Sequence, residues 1–473
     1  MLPNSLVSKL EEIVGEKNIS TDKYELLAYT ITDRSYVSRI QLMGLNLKPE
    51  YMYDCVVWPQ TTEQVSEIVK LANKYRVPII PYGGGTNDMG GTVPLTGGIA
   101  VDLKRLDKII EINERSARVH TQAGVILQIL EWELNKHGLT TGHAPACMYD
   151  ATIGGTLSTR SSGSLSNKYG KIPDMTLGLE VVLPTGEIVN IKPVPEGSTG
   201  PALKHLFLGA EGVFGIITSA VLRTFQLPEV RRFRSVLFKN LHNGIEAGRK
   251  IMQSGISPAA IRLSDEAETM KNHKMQGCYC VFCFEGPREI VDAEEKIVMK
   301  ICQEEGAEDL GSEEGKRWWE RKYYMYYSTP RSSVYPPEEG KIRFAIVPDT
   351  AASYDEIEPL YYDILNVVKK YGISVYSHFS HWYPHGTMVY PVIYFNVIDN
   401  IEEAMKIYTA VWNDIAAVIL KYKTASLNHH HGVGFILGRY LDKEYGEPLF
   451  RIFKEIKKIL DPNGIMNPGK LGL

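Results

Sequence analysis

Pro81-Tyr82-Gly83-Gly84-Gly85-Thr86-Asn87 (PYGGGTN) is the stretch on which the fold prediction depends. It continues Val77-Pro-Ile-Ile-Pro-Tyr82, a short apolar run typical of a buried strand, so the loop could present successive backbone N–H groups to an anion. It matches neither common phosphate signature, because the chain has no GK[ST] and the glycines do not form GxGxxG ahead of a helix. Taken alone, the loop favours an ordinary turn.

Three further small-residue segments change that interpretation: Thr152–Gly155, Thr159–Gly163 and Glu211–Thr218. Four such loops in one domain let the backbone approach a large, flat, phosphate-bearing ligand at several points. In order, content and spacing, the four segments resemble the FAD domain of the vanillyl-alcohol oxidase / p-cresol methylhydroxylase (PCMH) superfamily. The resemblance extends from Tyr53 to about Phe225.

The resemblance implies FAD as the cofactor. By analogy, residues 81–87 hold the pyrophosphate, residues 146–152 and 159–162 the flavin and ribityl side, and residues 211–217 the adenine side. The implied cofactor residues are Pro81, Tyr82, Gly83, Gly84, Gly85, Thr86, Asn87, Ala146, Cys147, Met148, Tyr149, Asp150, Ala151, Thr152, Gly154, Gly155, Thr159, Arg160, Ser161, Ser162, Glu211, Gly212, Val213, Phe214, Gly215, Ile216 and Ile217. Some members attach FAD through a histidine near the first loop. Here GGGTNDMGG contains no His or Cys, so we expect non-covalent FAD.

The rest of the chain predicts an α+β fold of two domains. The first half alternates strand-like runs with helical patterns, such as the helix that begins at Thr61-Thr62-Glu63. Beyond Leu227-Pro228, strands separated by long helices predict an α+β sheet layer with helices on one face. We therefore expect a PCMH-type FAD-binding domain over residues 1–226, a substrate (cap) domain over 227–428, and a C-terminal segment, 429–473, that returns to the FAD domain.

Composition argues against several partners and locations. The 473 residues carry a net charge of -4, with a pI near 6.3, which gives no electrostatic footprint for nucleic acid. No stretch of roughly 18 residues is both apolar and free of charges, so the sequence predicts no membrane-spanning helix. The N-terminus has the pattern of an amphipathic helix rather than that of a signal peptide. Six scattered cysteines fit a reducing compartment, so we expect a cytoplasmic protein. A homodimer is compatible with the sequence, which does not decide the oligomeric state.

Three of those cysteines, Cys278, Cys280 and Cys283, lie close together in QGCYCVFCFEG. The spacing raises the alternative of a metal or redox site. The run is rich in strand-forming residues, however, and alternation along a strand places Cys280 and Cys283 on opposite faces. We therefore expect them to pack as small apolar residues.

The histidine run in Thr424–Gly434, TASLNHHHGVG, is the most unusual feature of the second half. Three consecutive histidines cannot share one face of a strand or helix, so we expect a loop that directs the imidazoles differently. Imidazole can move protons or bind an anion near neutral pH, although a solvated surface triplet is the alternative. HHHGVG together with the C-terminal DPNGIMNPGK resembles the alkyldihydroxyacetonephosphate synthases of the same superfamily.

This closer resemblance implies further site residues. Arg262, in SPAAIRLSD, corresponds to a substrate-binding arginine that would clamp an anionic group with its planar fork. Tyr390, at the end of SHFSHWYPHGTMVY, corresponds to a catalytic tyrosine, with Tyr394 as the competing candidate. Arg331 is implied as a second contact to a phosphate. An ordinary surface ion pair is the alternative for Arg262, and core packing is the alternative for Tyr390.

The synthase resemblance implies exchange of acyl for alkyl on dihydroxyacetone phosphate through a flavin N5 adduct, without net redox change and without a bound metal. Tyr390 would move a proton at carbon, and His429, His430 and His431 would serve the incoming and leaving groups. The chain departs from the eukaryotic pattern because it lacks a long N-terminal extension and ends in KLGL rather than a peroxisomal signal. Parts of residues 266–360 do not match either.

A rival function is that of the FAD-linked 2-hydroxyacid dehydrogenases of the superfamily, which act on substrates such as lactate or glycolate. His378 and His385 keep the separation of a histidine pair in those enzymes, and His430 stands near a third position, so the resemblance allows a three-histidine metal site. The characteristic GDGN run is absent. The sequence leaves open the synthase or dehydrogenase choice, the physiological substrate and the electron acceptor.

A second rival is a non-enzymatic flavin or lipid binder. Lys316–Tyr327, KRWWERKYYMYY, mixes cations with aromatic rings, as segments at a membrane interface do. A solvated helix or a lid over the substrate pocket fits the same pattern. Peripheral membrane contact therefore stays open, and we expect the histidines near Arg262 and Tyr390 to indicate chemistry rather than storage.

Overall fold

The computed structural model describes residues 2–30, 51–323, 327, 345–395 and 401–473. The helices up to residue 226 are α1 (Asn4–Val14), α2 (Lys23–Thr30), α3 (Thr62–Tyr75), α4 (Leu127–Lys136), α5 (Ile153–Ser158), α6 (Ser166–Tyr169), α7 (Ile172–Met175) and α8 (Lys204–Phe207). The strands of this part are β1 (Ile19–Ser20), β2 (Cys55–Val57), β3 (Ile79–Tyr82), β4 (Ile99–Asp102), β5 (Ile109–Asn113), β6 (Arg118–Gln122), β7 (Leu139–Thr140), β8 (Thr176–Val182), β9 (Ile188–Ile191), β10 (Ile216–Arg223) and β11 (Phe225–Gln226).

A four-stranded sheet in the order β1-β2-β4-β3 carries the first glycine loop. Strands β2, β4 and β3 run parallel, and β4 between its neighbours is buried along its length. Helix α3 covers this sheet and begins where the sequence predicts, because the Thr61 hydroxyl accepts a hydrogen bond from the Gln64 N–H at 3.2 Å. PYGGGTN therefore emerges at the carboxyl end of β3, where ligands of parallel sheets commonly bind.

A five-stranded antiparallel sheet, β5-β6-β10-β8-β9, lies beside it. The run VVLPTGEIV forms the antiparallel β8–β9 hairpin. Strand β10 sits at the centre of this sheet, paired with β6 on one side and β8 on the other. The fourth small-residue segment runs directly into β10, so its backbone is held by the middle of a sheet rather than by a surface hairpin.

The region after residue 227 is built on an eight-stranded sheet in the order β15-β12-β14-β13-β18-β19-β16, with β17 also paired to β19. The strands are β12 (Val230–Phe238), β13 (Ala260–Ser264), β14 (Cys278–Gly286), β15 (Glu308–Gly311), β16 (Ala345–Ile346), β17 (Thr350–Ser353), β18 (Ser374–Tyr383) and β19 (Gly386–Tyr394). The helices are α9 (Leu241–Gln253), α10 (Glu266–His273), α11 (Arg288–Glu304), α12 (Glu313–Arg321), α13 (Tyr354–Lys370), α14 (Ile401–Ile419) and α15 (Leu441–Leu460). Across the described ranges, no helix combines the length and apolar character needed to cross a membrane.

The two faces of this sheet pack against different neighbours. Along the fully buried β14, Cys280 belongs to the core formed with the covering helices, whereas Cys283 belongs to the core shared with the first part of the chain. The predicted placement of these two cysteines on opposite faces is confirmed. The expectation that helices cover only one face of this sheet is wrong. Gly315 and Trp319 of helix α12 pack against Phe233 on the face opposite the main helix layer. Helices therefore lie on both faces, and α12 lies on the side of the glycine loops.

The chain ends against the first sheet. After α15, the Ile465 carbonyl accepts from the Ile79 N–H at 2.7 Å, and the Asn467 N–H donates to the Ile79 carbonyl at 2.8 Å. Two buried side chains fasten the same tail. The Asn467 amide donates to the Glu211 carbonyl at 2.6 Å, and the Lys470 ammonium donates to the Val93 carbonyl at 2.8 Å. The C-terminal residues thus fix, by hydrogen bonds, the strand that leads into the first glycine loop and the start of the fourth.

Candidate active site

A cavity of about 1300 Å³ lies between the glycine loops and the eight-stranded sheet. Its volume exceeds the roughly 300–1,000 Å³ of ordinary small-ligand pockets, so it has room for a dinucleotide and a substrate. Most residues predicted to hold the cofactor line it. They are Pro81, Tyr82, Gly83, Gly84, Gly85, Thr86, Asn87, Ala146, Cys147, Ala151, Thr152, Gly154, Gly155, Thr159, Ser161, Ser162, Glu211, Gly212, Gly215, Ile216 and Ile217.

Six predicted cofactor residues do not line the cavity. They are Met148, Tyr149, Asp150, Arg160, Val213 and Phe214. Met148, Val213 and Phe214 are buried in the core instead, Tyr149 is 42% exposed, and the side chain of Arg160 lies over Gly209. In the last three segments, part of the backbone turns its side chains away from the cavity, which a contiguous range taken from the sequence cannot express.

The first glycine loop is shaped for close backbone approach. A Cβ on Gly84 would stand 2.0 Å from the Asp150 carbonyl oxygen, and one on Gly83 would stand 2.3 Å from the Thr152 hydroxyl. The backbone N–H groups of residues 84–87 donate no hydrogen bond to any other described residue, so they remain available to the oxygens of a pyrophosphate. These observations fit a dinucleotide such as FAD.

Glu211 connects the fourth loop to the histidine run. Its buried carboxylate accepts from the Val433 N–H at 2.5 Å and from the Gly434 N–H at 2.9 Å. Gly434 is required there, since its φ is +52° and a Cβ would stand 1.8 Å from the Met89 carbonyl oxygen. Burial raises the pKa of Glu211 to about 7, although the two backbone N–H groups oppose the shift.

Asp349 organises the histidine loop from the opposite side. This fully buried residue lies between β16 and β17. Its carboxylate is 2.9 Å from Nδ1 of His430 and 3.1 Å from Nδ1 of His431, and it also accepts from the His430 N–H at 2.7 Å. Burial alone would raise the pKa of Asp349, but His431 and His430 hold that pKa well below its usual value. The sequence analysis missed Asp349, because no motif surrounds it and it lies 81 positions from His430.

Tyr390 extends the ion-pair contact between Asp349 and His431 toward the cavity. Its hydroxyl is 3.2 Å from Nε2 of His431, and its ring stacks on His378 with the centroids 4.8 Å apart. In the tautomer with its proton on Nδ1, 3.1 Å from Asp349, the lone pair of His431 Nε2 can accept the phenol proton. Asp88 lies 3.6 Å from the same Nε2, so two carboxylates would stabilise an imidazolium. Tyr394 is 48% exposed and bonds to the Tyr376 hydroxyl, so the geometry favours Tyr390.

Of the three consecutive histidines, His430 and His431 line the cavity and His429 does not. His429 turns away, with Nε2 2.7 Å from the Tyr383 hydroxyl, and its carbonyl accepts from the Lys171 ammonium at 2.5 Å. The predicted divergence of the imidazoles is therefore present, but the run contributes two side chains to the cavity rather than three.

His381 is a second cavity residue that the sequence analysis missed. Regular alternation would place His378 and His381 on opposite faces of β18. Instead, the β18–β19 register shifts between Phe379 and Trp382, which directs both Ser380 and His381 toward the cavity. Burial, followed by the nearby His430, lowers the pKa of His381 well below its usual value. The sequence contains the histidine, but nothing in it marks the bulge.

Arg262 lines the cavity, but its charge is already matched. Glu268 accepts from both terminal nitrogens, at 2.8 and 3.2 Å, while Ser264 and Nδ1 of His378 accept the neighbouring N–H groups at 3.1 Å. Burial would raise the pKa of Glu268, yet Arg262 and His378 together hold it well below its usual value and keep the carboxylate ionised. Arg331, the other predicted anion contact, lies outside the described residues.

The metal site suggested by the dehydrogenase resemblance is not assembled. His385 is exposed in the turn between β18 and β19, and His378, His385 and His430 do not form a close group. Within the described part of the chain, the triads whose ligand atoms lie within 4.8 Å of one another are His381-His429-His430 and Asp349-His430-His431. His430 is common to both.

Comparison with known families agrees with this geometry. Residues 53–192 match a model described as "FAD binding domain", and residues 227–471 match "FAD linked oxidases, C-terminal domain". The chain belongs to the FAD-linked oxidases. It is similar to alkyldihydroxyacetonephosphate synthase of Dictyostelium discoideum, at 30% identity over 88% of this chain and 73% of that protein. It is also similar to the glycolate oxidase subunit GlcD of Bacillus subtilis (strain 168), at 27% identity over 100% of this chain and 97% of that protein.

Solved structures place this FAD-linked oxidase in the same fold class. A structure of alkyldihydroxyacetonephosphate synthase superposes with a TM-score of 0.81 at 27% identity, covering 99% of this chain and 85% of that one. p-Cresol methylhydroxylase superposes with a TM-score of 0.79 at 21% identity, over 99% of this chain and 96% of that one, which bears on the fold alone. The predicted two-domain PCMH-type α+β fold, the FAD cofactor and the enzyme class are confirmed.

Proposed function

We propose that this FAD-linked oxidase exchanges acyl for alkyl on dihydroxyacetone phosphate, the reaction implied by its resemblance to the alkyldihydroxyacetonephosphate synthases. The observation that carries the proposal is the chain Asp349–His431–Tyr390, which ends with the phenol at the cavity. We further propose that residues 1–226, 227–428 and 429–473 form the FAD-binding domain, the cap domain and the returning segment.

Bound FAD supplies an electron acceptor, and the protein supplies proton transfer and orientation. Tyr390 takes the proton from the substrate carbon, because its hydroxyl can pass its own proton to Nε2 of His431. The imidazolium that forms is stabilised by Asp349, 3.1 Å from Nδ1, and by Asp88, 3.6 Å from Nε2. Because the phenol gives its proton to His431 as it takes one from the substrate, Tyr390 acts as a base without first becoming an isolated phenolate.

His430 and His381 serve the incoming alcohol and the leaving carboxylate. Burial lowers the pKa of both imidazoles, so they are neutral at pH 7 and can accept the alcohol proton. Burial, and then the charge of Arg262, also lower the pKa of His378. The His378 ring stacks on the ring of Tyr390. The His378 stacking and the His431 hydrogen bond together set the orientation of the phenol.

The cofactor is proposed to be held without a covalent bond. The glycine loop that meets the pyrophosphate contains no His or Cys. Precipitation of the purified protein with acid is expected to leave all flavin in the supernatant. Yellow colour that stays in the precipitate would indicate a covalent link, and peptide mapping would then identify the residue.

The proposed reaction is tested with acyl-dihydroxyacetone phosphate and a long-chain alcohol. We expect alkyl product and free fatty acid to appear in equal amounts while the flavin absorbance stays that of the oxidised form. Omission of the alcohol is the control, since the alkyl product then cannot form. Absence of exchange by protein saturated with FAD would reject the proposal.

A 2-hydroxyacid dehydrogenase is the second candidate, and one observation favours it. The chain accounts for 97% of the length of the glycolate oxidase subunit but for 73% of the Dictyostelium synthase. On this alternative, anaerobic addition of D-lactate or glycolate bleaches the flavin. Metal analysis of protein prepared without a His-tag tests the metal-assisted form, for which the triads containing His430 offer ligands. Bleaching by a hydroxyacid without alkyl exchange would favour the dehydrogenase.

A further inference from the structure

The ε-amine of Lys322 is a buried cation that the proposed reaction does not use. Lys322 follows helix α12 and lines the main cavity, yet its Nζ is buried and has no hydrogen-bond partner among the described residues. It lies 3.4 Å from the centroid of the Trp319 ring and 4.5 Å from that of Tyr323. A buried ammonium without an acceptor is costly, because ring faces replace only part of its hydration.

Three other lysines of the described chain whose amines are largely buried do have hydrogen-bond acceptors. Lys171 donates to the His429 carbonyl, Lys470 to the Val93 carbonyl, and Lys457 to Asp461 and two backbone carbonyls. Arg262 is likewise matched by Glu268 and His378. Lys322 differs from these residues because its covered amine contacts aromatic rings and no hydrogen-bond acceptor among the described residues, although the residue lines the cavity.

The charged groups around Lys322 do not neutralise it. The positive charge of Arg231 in β12 repels that of Lys322. Glu285 is the carboxylate with the largest opposing effect, but it already accepts hydrogen bonds from Arg231 and from the Tyr169 hydroxyl. Glu131 in α4 accepts from Thr140 and Thr141 instead. Burial, and then Arg231, lower the pKa of Lys322 to about 7, against smaller opposing effects of Cys283, Glu285 and Glu131. Without a bound anion, the Lys322 amine is therefore only partly protonated near pH 7.

The position of Lys322 relative to the cofactor loops is also defined. The hydroxyl of the next residue, Tyr323, donates to Sδ of Met148 at 3.1 Å, which anchors the end of α12 on the segment that carries Ala146 and Cys147. Ala146, Cys147 and Lys322 all line the same cavity. A group held by Lys322 would therefore lie beside the predicted flavin side.

We propose that Lys322 is the residue that receives the oxyanion of the substrate, a carboxylate or a phosphate monoester, at the flavin side of the cavity. The inference rests on the proposed function, because it needs an anionic substrate in this cavity, and it assigns to Lys322 the role that the sequence resemblance implied for Arg262. Arg262 then orients His378 through the 3.1 Å bond rather than holding the substrate alone. Binding of the anion restores the charge of Lys322, so association takes up a proton above pH 7.

Oxalate binding to the FAD-loaded protein tests the assignment, since oxalate does not titrate near neutral pH and its binding is read from the flavin absorbance without turnover. Wild-type affinity is expected to fall by about 20-fold between pH 6.5 and 8.5. Lys322→Met should weaken binding by about 10–100-fold at pH 6.5, and Lys322→Arg should bind with little dependence on pH. Lys316→Met is the matched control, because Lys316 lies on the same helix, exposed and paired with Glu313.

Calorimetry of the wild type in two buffers of different ionisation enthalpy provides a measurement that needs no variant. Uptake of about one proton per oxalate at pH 8, and of almost none at pH 6, is expected. Equal affinity of wild type and Lys322→Met, binding without proton uptake, or no binding of oxalate and dihydroxyacetone phosphate to the wild type would each overturn the inference. If the affinity for oxalate depends on Lys322, the oxyanion is a carboxylate. If the affinity for dihydroxyacetone phosphate does, the oxyanion is a phosphate monoester. Alkyl exchange, assayed separately, distinguishes failure of the proposed reaction from failure of this assignment.

Discussion

The two walls of the cavity are built in different ways. The cofactor wall, residues 81–87, 151–162 and 211–217, consists mainly of glycine, serine and threonine, whose backbone faces the cavity. The substrate wall, formed by Arg262, His378, His381 and Tyr390 with the histidine loop, consists of large polar side chains on rigid strands. The first wall suits a ligand recognised by shape and phosphate charge, and the second suits proton transfer. Each wall therefore predicts a different result of substitution, namely loss of flavin or loss of turnover.

The largest expected effect is on the substrate wall. Tyr390→Phe removes the hydroxyl that reaches His431 and should lower kcat by about 10²–10⁴-fold while the protein stays yellow. Steady-state exchange and the flavin spectrum measure the two quantities separately. Tyr394→Phe is the control, since that residue lies at the exposed end of the same strand face, and a larger loss there would transfer the role to Tyr394.

Loss of flavin is expected from the cofactor wall. In Gly84→Ala the new Cβ would collide with the Asp150 carbonyl at 2.0 Å, and overpacking of about 1–3 kcal/mol corresponds to roughly 5–150-fold in FAD affinity. Flavin content after gel filtration and titration of the apoprotein measure the change. Gly197→Ala, in an exposed segment that does not line the cavity, should retain FAD because its Cβ would meet only the Val194 side chain. Equal FAD retention by both variants would contradict the role assigned to the first loop.

Asp349→Asn should sharpen the assignment of the histidine loop. The amide lacks the negative charge that faces Nδ1 of both histidines, and one of its two polar atoms cannot accept, so we expect kcat to fall by about 10–100-fold. The acidic limb of the kcat–pH profile should move to lower pH, because an imidazolium without its carboxylate is less stable. FAD content and KM should change little. A loss of kcat with an unchanged pH profile would indicate a purely structural residue.

The smallest expected effect concerns Glu211, which joins the two walls. Its folded-state pKa of about 7 lies above the unfolded value near 4.5, so its contribution to stability is fully present below pH 4.5 and is lost as the pH rises through 7. Glu211→Gln removes this dependence and should reduce the fall in Tm between pH 5 and 8 by a few degrees. Thermal unfolding of the apoprotein measures it, and identical pH profiles would refute the raised pKa.

The cofactor wall was largely predictable because close backbone approach requires glycine, and glycine is visible in a sequence. Predicted residues such as Met148 and Phe214 lie within these segments but pack in the core rather than line the cavity. On the substrate wall, Tyr390, Arg262 and two of the three consecutive histidines were placed at the cavity. The remaining partners were not, since Asp349 and Glu268 carry no local pattern that marks them as neighbours of the histidines and Arg262.

The β18 bulge illustrates why those partners escape a linear analysis. Strict alternation assigns His378 and His381 to opposite faces, but one extra residue opposite β19 brings both to the cavity. The same limit applies to Lys322, which looks in the sequence like one cation in a surface segment. Its amine contacts the rings of Trp319 and Tyr323. Those rings are held in turn by Arg231, which lies over Trp319, and by Met148, which accepts from the Tyr323 hydroxyl.

By itself, the order of small residues along the chain determined the fold class and the kind of cofactor, because steric access of a backbone to phosphate is a local property. The tertiary structure alone decided which imidazoles face the cavity, which carboxylate holds them and which cation lacks a partner. Those properties depend on distances between residues far apart in the chain and on exclusion of water. Both arise only when the two sheets enclose the cavity.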